Sequence, residues 1–494
     1  MTAYVKLLRH GSMYAVSVVL SKLASMCLLP VYTRYLSPTD YGIMELLELT
    51  SFIVITLIGI NLSDAVFCYY AEAQTAAERN LVISTALIGA AAVSCIAALL
   101  GLCAARTLSR IVFGAPDWAR FFRITFITIA FSLPQEIGLA YLRARSQSST
   151  VAAFQIGRLL ITIVLNLLFL IHFSLGIVSV LYSALISSAV SVVLLTVVLY
   201  RNERVLFQWT LFWKLFRFAL PLGLAGLAML CVNFGDRAFL VRWVSLSDIG
   251  IYSLAYKLGM LVSYVQLPFS MYWNAEMYSV VKERGGTALY ARVCTYFLFA
   301  LTAAALALSI FARPLLVLLA APSFAAAAQY VPAVAFAYVL RGLGDYFRNV
   351  FSLEKRPSMN LAVLFVGAFV CLSGYAVLIP AFRMWGAVIA TQLSFAAMAV
   401  AAFISGQKVR PFRFEFGRIA RLLLSATLCW MALQTVHPRS ISASVLTGAV
   451  AFAAWPVVLY CWRFFNAREL QILTELGARM RALAERRAAP PVTR

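Results

Sequence analysis

Charge is what this sequence has least of. Only 12% of its 494 residues are Asp, Glu, Lys or Arg, and 63% are hydrophobic. A soluble domain carries about 25% charged residues. At a mean hydropathy of +0.88, no soluble core could bury so much apolar side chain, and a bilayer is the expected solvent. Histidine is rarer still. The three copies, His10, His172 and His437, stand alone at the ends of apolar runs, where a solvated imidazole is the ordinary case. The nine Cys show no CxxC and no paired spacing, so they are expected to be small buried hydrophobes. The phosphate-cradling GxxxxGK[ST], the zinc-binding HExxH and the nucleophile elbow GxSxG are all missing. No metal, nucleotide or other cofactor is therefore expected. Stretches outside the apolar runs stay below roughly thirty residues, which leaves little room for a catalytic domain.

What charge there is has a sign. Lys and Arg number 41 against 19 acids, a net charge of +22. In a soluble chain that balance suggests nucleic acid. Here it fits loops retained on the cytoplasmic side, and no nucleic-acid partner is expected. Apolar runs of the roughly 20 residues needed to cross a bilayer lie near 11–33, 41–65, 82–104, 121–142, 156–173, 176–199, 217–240, 249–271, 292–312, 331–353, 360–380, 385–406, 418–436 and 441–463. That predicts about 14 transmembrane helices. The segment Pro314–Tyr330, interrupted by Pro322, reads as a surface or re-entrant piece. With the N-terminus inside, and charges near span ends assigned to the nearer side, 28 of the 41 Lys and Arg fall on the inner side and 10 on the outer, which leaves Lys22, Lys257 and Arg341 deep within spans. This bias places both termini in the cytoplasm. The first run carries Lys22 at its middle and lacks a small-residue cleavage site, so no cleavable signal peptide is expected.

A repeat organises the chain. RYLSPTDYGIMEL at Arg34–Leu46 returns 208 residues later as RWVSLSDIGIYSL at Arg242–Leu254, sharing the Arg, Ser, Asp, Gly, Ile and final Leu. Six spans separate the copies, so both enter the membrane in the same sense, as parallel repeats with a substrate site between them. A weaker echo at a shift of 209 pairs Glu136 with Asp345 and Ser149 with Ser358. The expected fold class is an all-α polytopic membrane protein. Its expected parts are a first lobe over 1–200, a second over 201–407, two further helices over 408–465, and an amphipathic inner-surface tail over 466–494. Ser-x-x-Asp before an apolar run is close to a capping box. Gly42 and Gly250 would then permit tight helix packing.

Ionisable side chains inside spans pair or line a cavity. Lys22 is the twelfth residue of a 23-residue run. It is either bonded to helix carbonyls or a carboxylate, or it lines a central cavity. Arg341 is as central in its span and has Asp345 one turn on, so an internal ion pair is the competing reading. Lys257 lies about two turns into its span. Asp236 and Arg237 are adjacent, and neighbours on a helix point to different partners. Asp236, Asp345, Glu136 and Asp64 are candidates for ion pairing or for proton coupling.

Three stretches carry a resemblance: Pro-x-x-Thr-Arg-Tyr-Leu-Ser-Pro-x-Asp-Tyr-Gly at Pro30–Gly42, Asp-Arg-x-Phe-Leu at Asp236–Leu240, and Ile-Gly-Ile-Tyr-Ser-Leu-Ala-Tyr-Lys at Ile249–Lys257. With them the chain resembles the Wzx-type polysaccharide or O-antigen flippases of the multidrug/oligosaccharidyl-lipid/polysaccharide exporter superfamily. The resemblance implies two six-helix lobes around a central cavity and alternating access in the bacterial inner membrane. It implies an undecaprenyl-pyrophosphate-linked oligosaccharide as substrate, with membrane lipids and polysaccharide assembly proteins as further partners. It also implies a cation-lined cavity. Lys22, Lys257 and Arg341 are the candidates by position, and motif matching supports Lys257 among them. Two other readings stand beside this one. A cation-coupled multidrug exporter of the same superfamily would need an acidic, aromatic cavity. A membrane polysaccharide polymerase or ligase would need a sizeable outer loop with catalytic groups, and none is visible.

Overall fold

The computed structural model describes residues 28–59, 62–145, 147–201, 204–436, 440–466, 469 and 471. Lys22 and nearly all of the tail lie outside these residues. Among the described residues there are helices and turns but no strand, and the chain is an all-α polytopic membrane protein.

The short helix α1 (Leu29–Tyr35) leads through Ser37 into α2 (Pro38–Gly59). After α3 (Leu62–Glu72), Thr75 opens the long α4 (Ala76–Phe113) with a capping box, exchanging hydrogen bonds with Glu78. Gly114 ends α4 at φ 75°, a left-handed conformation that glycine adopts without strain. Helix α5 (Ala119–Ala144) follows a single 3-10 turn. Next come α6 (Ser148–Leu167), extended by a π-helical turn to His172, and α7 (Ile177–Tyr200). The connection into the second repeat is tied down. The Leu206 and Gln208 amides donate to the hydroxyls of Ser84 and Thr85 on α4. The second half holds α8 (Trp209–Leu240), α9 (Leu246–Gly259), α10 (Val262–Val280), α11 (Gly286–Leu319), α12 (Val331–Leu353), α13 (Pro357–Phe382) and α14 (Met384–Val409). Helices α15 (Phe416–Gln434) and α16 (Ile441–Cys461) complete it.

Ten described helices are long and apolar enough to cross a membrane, or eleven if the bent pair Pro322–Gln329 and Val331–Leu353 counts as one. The Pro314–Tyr330 segment divides accordingly. Its start finishes α11, and its remainder is a 3-10 helix set 48° from α12. The span expected near 249–271 breaks at Met260 and Leu261, between α9 and α10. The span expected at 156–173 is longer than its apolar run suggests. It reaches back to Ser149, because Ser149, Thr150 and Gln155 mask the helix start in a hydropathy reading. Cysteines depart from expectation too. Of the eight described, none is in a disulfide, Cys294 and Cys371 are buried, and Cys95, Cys103 and Cys461 are exposed.

The described structure forms two compact units. One gathers the residues up to Leu261 with Leu315–Arg410, and the other gathers Val262–Pro314 with the residues from Pro411 on. Helices in lipid gain little from the hydrophobic effect and associate through close packing and polar ties. The first unit shows both: buried serines along α7 and glycine-mediated crossings. In the second unit, Phe269 of α10 stacks on Phe297 of α11 at 4.2 Å. Trp455 of α16 stacks on Phe299 and donates its indole N–H to Ser425 at 3.0 Å. Arg418, buried at the start of α15, is answered by Glu415 at 2.9 Å and Glu469 at 2.8 Å.

Candidate functional site: a charged seam between the repeats

The two copies of the repeat fold alike. At the start of α2 the Ser37 amide donates to Asp40 Oδ2 at 3.1 Å, and the Asp40 amide donates to Ser37 Oγ at 3.1 Å. At the start of α9 the Ser245 amide donates to Asp248 at 3.3 Å, and the Asp248 amide donates to Ser245 Oγ at 3.1 Å. Both are capping boxes with Asp in place of the commoner Glu, as the Ser-x-x-Asp spacing implies. The copies also meet each other. A Cβ on Gly42 would sit 2.0 Å from the Leu246 carbonyl oxygen, and one on Gly250 would sit 2.0 Å from the Pro38 carbonyl oxygen. Only glycine permits this reciprocal approach of backbones. Arg34 and Arg242 are exposed beside it.

One turn past Gly42, on the same face of α2, Glu45 begins a buried charge cluster. Its carboxylate contacts the Lys257 ammonium from α9 and lies 3.6 Å from Arg237 Nε of α8. Arg237 also binds Asp236 at 2.9 Å, and the Tyr252 hydroxyl donates to Asp236 at 2.5 Å. Side-chain exposure is 0% for Asp236, 3% for Arg237 and 5% for Glu45, but 34% for Lys257. Two acids and two bases make the direct contacts, Glu48 of α2 lies within electrostatic reach of the same two bases, and of the four contacting groups Lys257 keeps an open flank. The Lys257 ammonium rests over the Tyr41 ring at 4.8 Å, and the Arg237 guanidinium over Tyr256 at 5.0 Å. The expectation that Asp236 and Arg237 point apart is overturned. The long guanidinium folds back onto its neighbour's carboxylate, a reach that helix geometry at Cβ does not limit.

A second group continues from α8. Asn233, one turn before Asp236 and Arg237, accepts a hydrogen bond from Arg341 Nη1 of α12 at 2.7 Å. Arg341 Nε lies 3.9 Å from Asp345, whose carboxylate is in closer contact with Arg348. The Arg341 guanidinium sits between the Tyr338 and Phe395 rings at 5.8 and 5.7 Å and is 21% exposed. A Cβ on Gly344 would meet Ala399 of α14 at 3.4 Å, an ordinary van der Waals contact, so this position does not demand glycine for space. Lys257, Asp236, Arg341 and Asp345 are therefore brought onto one run of α8, α9 and α12. Glu136, exposed, accepts a hydrogen bond from the Ser63 hydroxyl at 2.9 Å, and Asp64, the residue after Ser63, is exposed as well. Among the described residues no cluster of His, Cys, Asp and Glu could hold a metal.

Two further charged residues have partners that the sequence does not specify. Glu45 was visible as an acid at the start of a span, but its role depends on a partner 212 residues away, at Lys257. Arg158 is the third residue of the apolar run near 156–173. In the structure it is the tenth residue of the 24-residue span Ser149–His172, with its Nη2 donating to Ser188 Oγ of α7 at 3.2 Å. The signal that could have found it is the polar start of α6, which resembles a helix N-terminus more than a loop.

Comparison with known proteins places this architecture. A family described as "Polysaccharide biosynthesis protein" matches residues 7–272. Among solved structures, the chain is similar to a lipid II flippase, MurJ, in an inward closed conformation. The TM-score is 0.74 at 12% identity, covering 92% of this chain and 99% of that one. It is also similar to an inward-facing multidrug resistance MATE family transporter of the MOP superfamily, with a TM-score of 0.66 at 15% identity, covering 78% of this chain and 94% of that one. A MATE protein in a straight conformation gives 0.57 at 16% identity, covering 82% and 95%. No curated protein matches. The family match spans more than half of the chain, and the protein belongs to the polysaccharide biosynthesis protein family.

Proposed function

We propose that this protein flips an undecaprenyl-pyrophosphate-linked oligosaccharide from the inner to the outer leaflet of a bacterial inner membrane. In this reading residues 1–200 and 201–407 are lobes that alternate access, and both termini are cytoplasmic. Lys22, Lys257 and Arg341 receive the diphosphate. The observation that carries the reading is Arg341, a partly exposed guanidinium in the middle of α12. Its nearest acid, Asp345, stands 3.9 Å away and is also engaged by Arg348. A planar fork of donors suits phosphate oxygens. Lys257 fits the same task by exchange, because a diphosphate outweighs the single carboxylate of Glu45 as an ammonium partner. Polysaccharide-family membership and the fold shared with a lipid II flippase support a lipid-linked substrate. Replacing Arg341 or Lys257 by Ala is expected to abolish surface polysaccharide while the protein stays in the membrane. Normal polysaccharide in both variants would refute these assignments.

A second reading, a cation-coupled multidrug exporter, draws on the MATE fold and on the exposed acids Asp64 and Glu136. It predicts drug sensitivity on deletion, with polysaccharide unchanged. A polymerase or ligase would instead lengthen polysaccharide when the purified protein meets substrate already on the outer side.

A further inference from the structure

Helices α6 and α7 flank a half-open, largely apolar groove of about 240 Å³ that the charged seam does not use. Its α6 wall is a single helical face running from Thr150 through Gly157 and Arg158 to Ile161. Its α7 wall runs from Ser187 to Leu194. The space equals about eight waters at roughly 30 Å³ each, enough for a phosphate head and a few carbons. One charge lines it, the guanidinium of Arg158.

Three facts bear on what enters. Arg158 has five N–H donors to satisfy, and the Ser188 hydroxyl takes one of them. Among the described residues no carboxylate lies within ion-pair range of it. The wall opposite is Ser187, Val190, Ser191 and Leu194, both serines more than nine-tenths buried, and the Ser188 that Arg158 meets is buried beside it. A guanidinium held deep in an apolar span without an acid is expensive unless an anion joins it. Depth narrows the choice further. At about 1.5 Å per residue, Arg158 lies about 14 Å from Ser149 and about 21 Å from His172 along the helix. A resident lipid keeps its phosphate at the interface, so a phosphate that reaches Arg158 has been drawn inward along the helix, even with the guanidinium leaning back toward the helix start. The groove also leads to that depth, because Thr150 lines its end near the helix start.

We infer that the α6–α7 groove is a transit site for the phosphate of a membrane lipid, held by the Arg158 guanidinium that Ser188 steadies. The identity of the lipid in transit rests on the function proposed above, whereas the phosphate site itself does not.

The test uses full-length protein in nanodiscs and three probes: undecaprenyl diphosphate, uncharged undecaprenol and phosphatidylglycerol. Binding is read by native mass spectrometry. Arg158→Gln removes the charge. Gly157→Val narrows the groove from a position where an added Cβ meets nothing within 4 Å, and it leaves Arg158 in place. Each substitution is expected to weaken undecaprenyl diphosphate binding at least about tenfold, the worth of one charged hydrogen bond. Arg158→Lys should retain most of the affinity, and undecaprenol binding should not respond to Arg158→Gln. Undiminished diphosphate binding in both Arg158→Gln and Gly157→Val would overturn the site while leaving the flippase reading intact. Wild-type protein that ignores undecaprenyl diphosphate but loses phosphatidylglycerol on Arg158→Gln would uphold the phosphate site and contradict the flippase reading.

Discussion

The two copies of the repeat agree in their caps and their glycines and differ in their charges. A shift of 208 residues carries Ser37, Asp40 and Gly42 onto Ser245, Asp248 and Gly250, and the geometry follows. The same shift carries Glu45 onto Ser253, Leu49 onto Lys257, and Leu29 onto Arg237. The first copy thus supplies the acid and the second the bases that answer it. Duplication alone would have set like against like at this crossing. Divergence of a few positions on a shared scaffold instead gives the halves a complementary electrostatic link, beside a backbone contact that requires both glycines.

The largest effect should come from making the first copy resemble the second. Glu45→Ser leaves Arg237 and Lys257 without their shared carboxylate, and breaking a buried pair in this way costs about 3–5 kcal/mol. Thermal unfolding in detergent should show the loss. Lys257→Leu, which matches the first copy's Leu49, should cost less, because Lys257 is 34% exposed and Arg237 still answers Glu45. Next come the glycines. Gly42→Val and Gly250→Val each force a side chain against the opposing carbonyl, at about 1–3 kcal/mol. The double variant should cost clearly less than the sum, since both act on one crossing. An additive result would mean that the two contacts are independent. Smallest are the caps. Ser37→Ala and Ser245→Ala should each cost about 1 kcal/mol and differ little from each other.

The duplication could be read from the sequence because it rests on local chemistry: a capping serine and aspartate, a glycine, and an apolar run. Lys257 and Arg341 stood out because single charges interrupt long apolar stretches. The joining of the halves could not be read. Nothing local says that Gly42 packs on Leu246 or that Glu45 reaches Lys257. The Asp236–Arg237 contact was hidden by a rule about Cβ directions that a flexible guanidinium escapes. Arg158 was hidden by the polar residues that begin α6, which moved the apparent span and with it the apparent depth of the charge. Lys22, the most conspicuous charge in the sequence, lies outside the described residues.

The most direct test of the account is a leaflet-resolved assay with purified protein in sealed vesicles carrying a fluorescent undecaprenyl-diphosphate-linked saccharide. Transfer between leaflets by the wild-type protein, with its loss in Arg341→Ala, is the predicted result. Wild-type vesicles that move no substrate, or transfer that proceeds unchanged in Arg341→Ala, would contradict it.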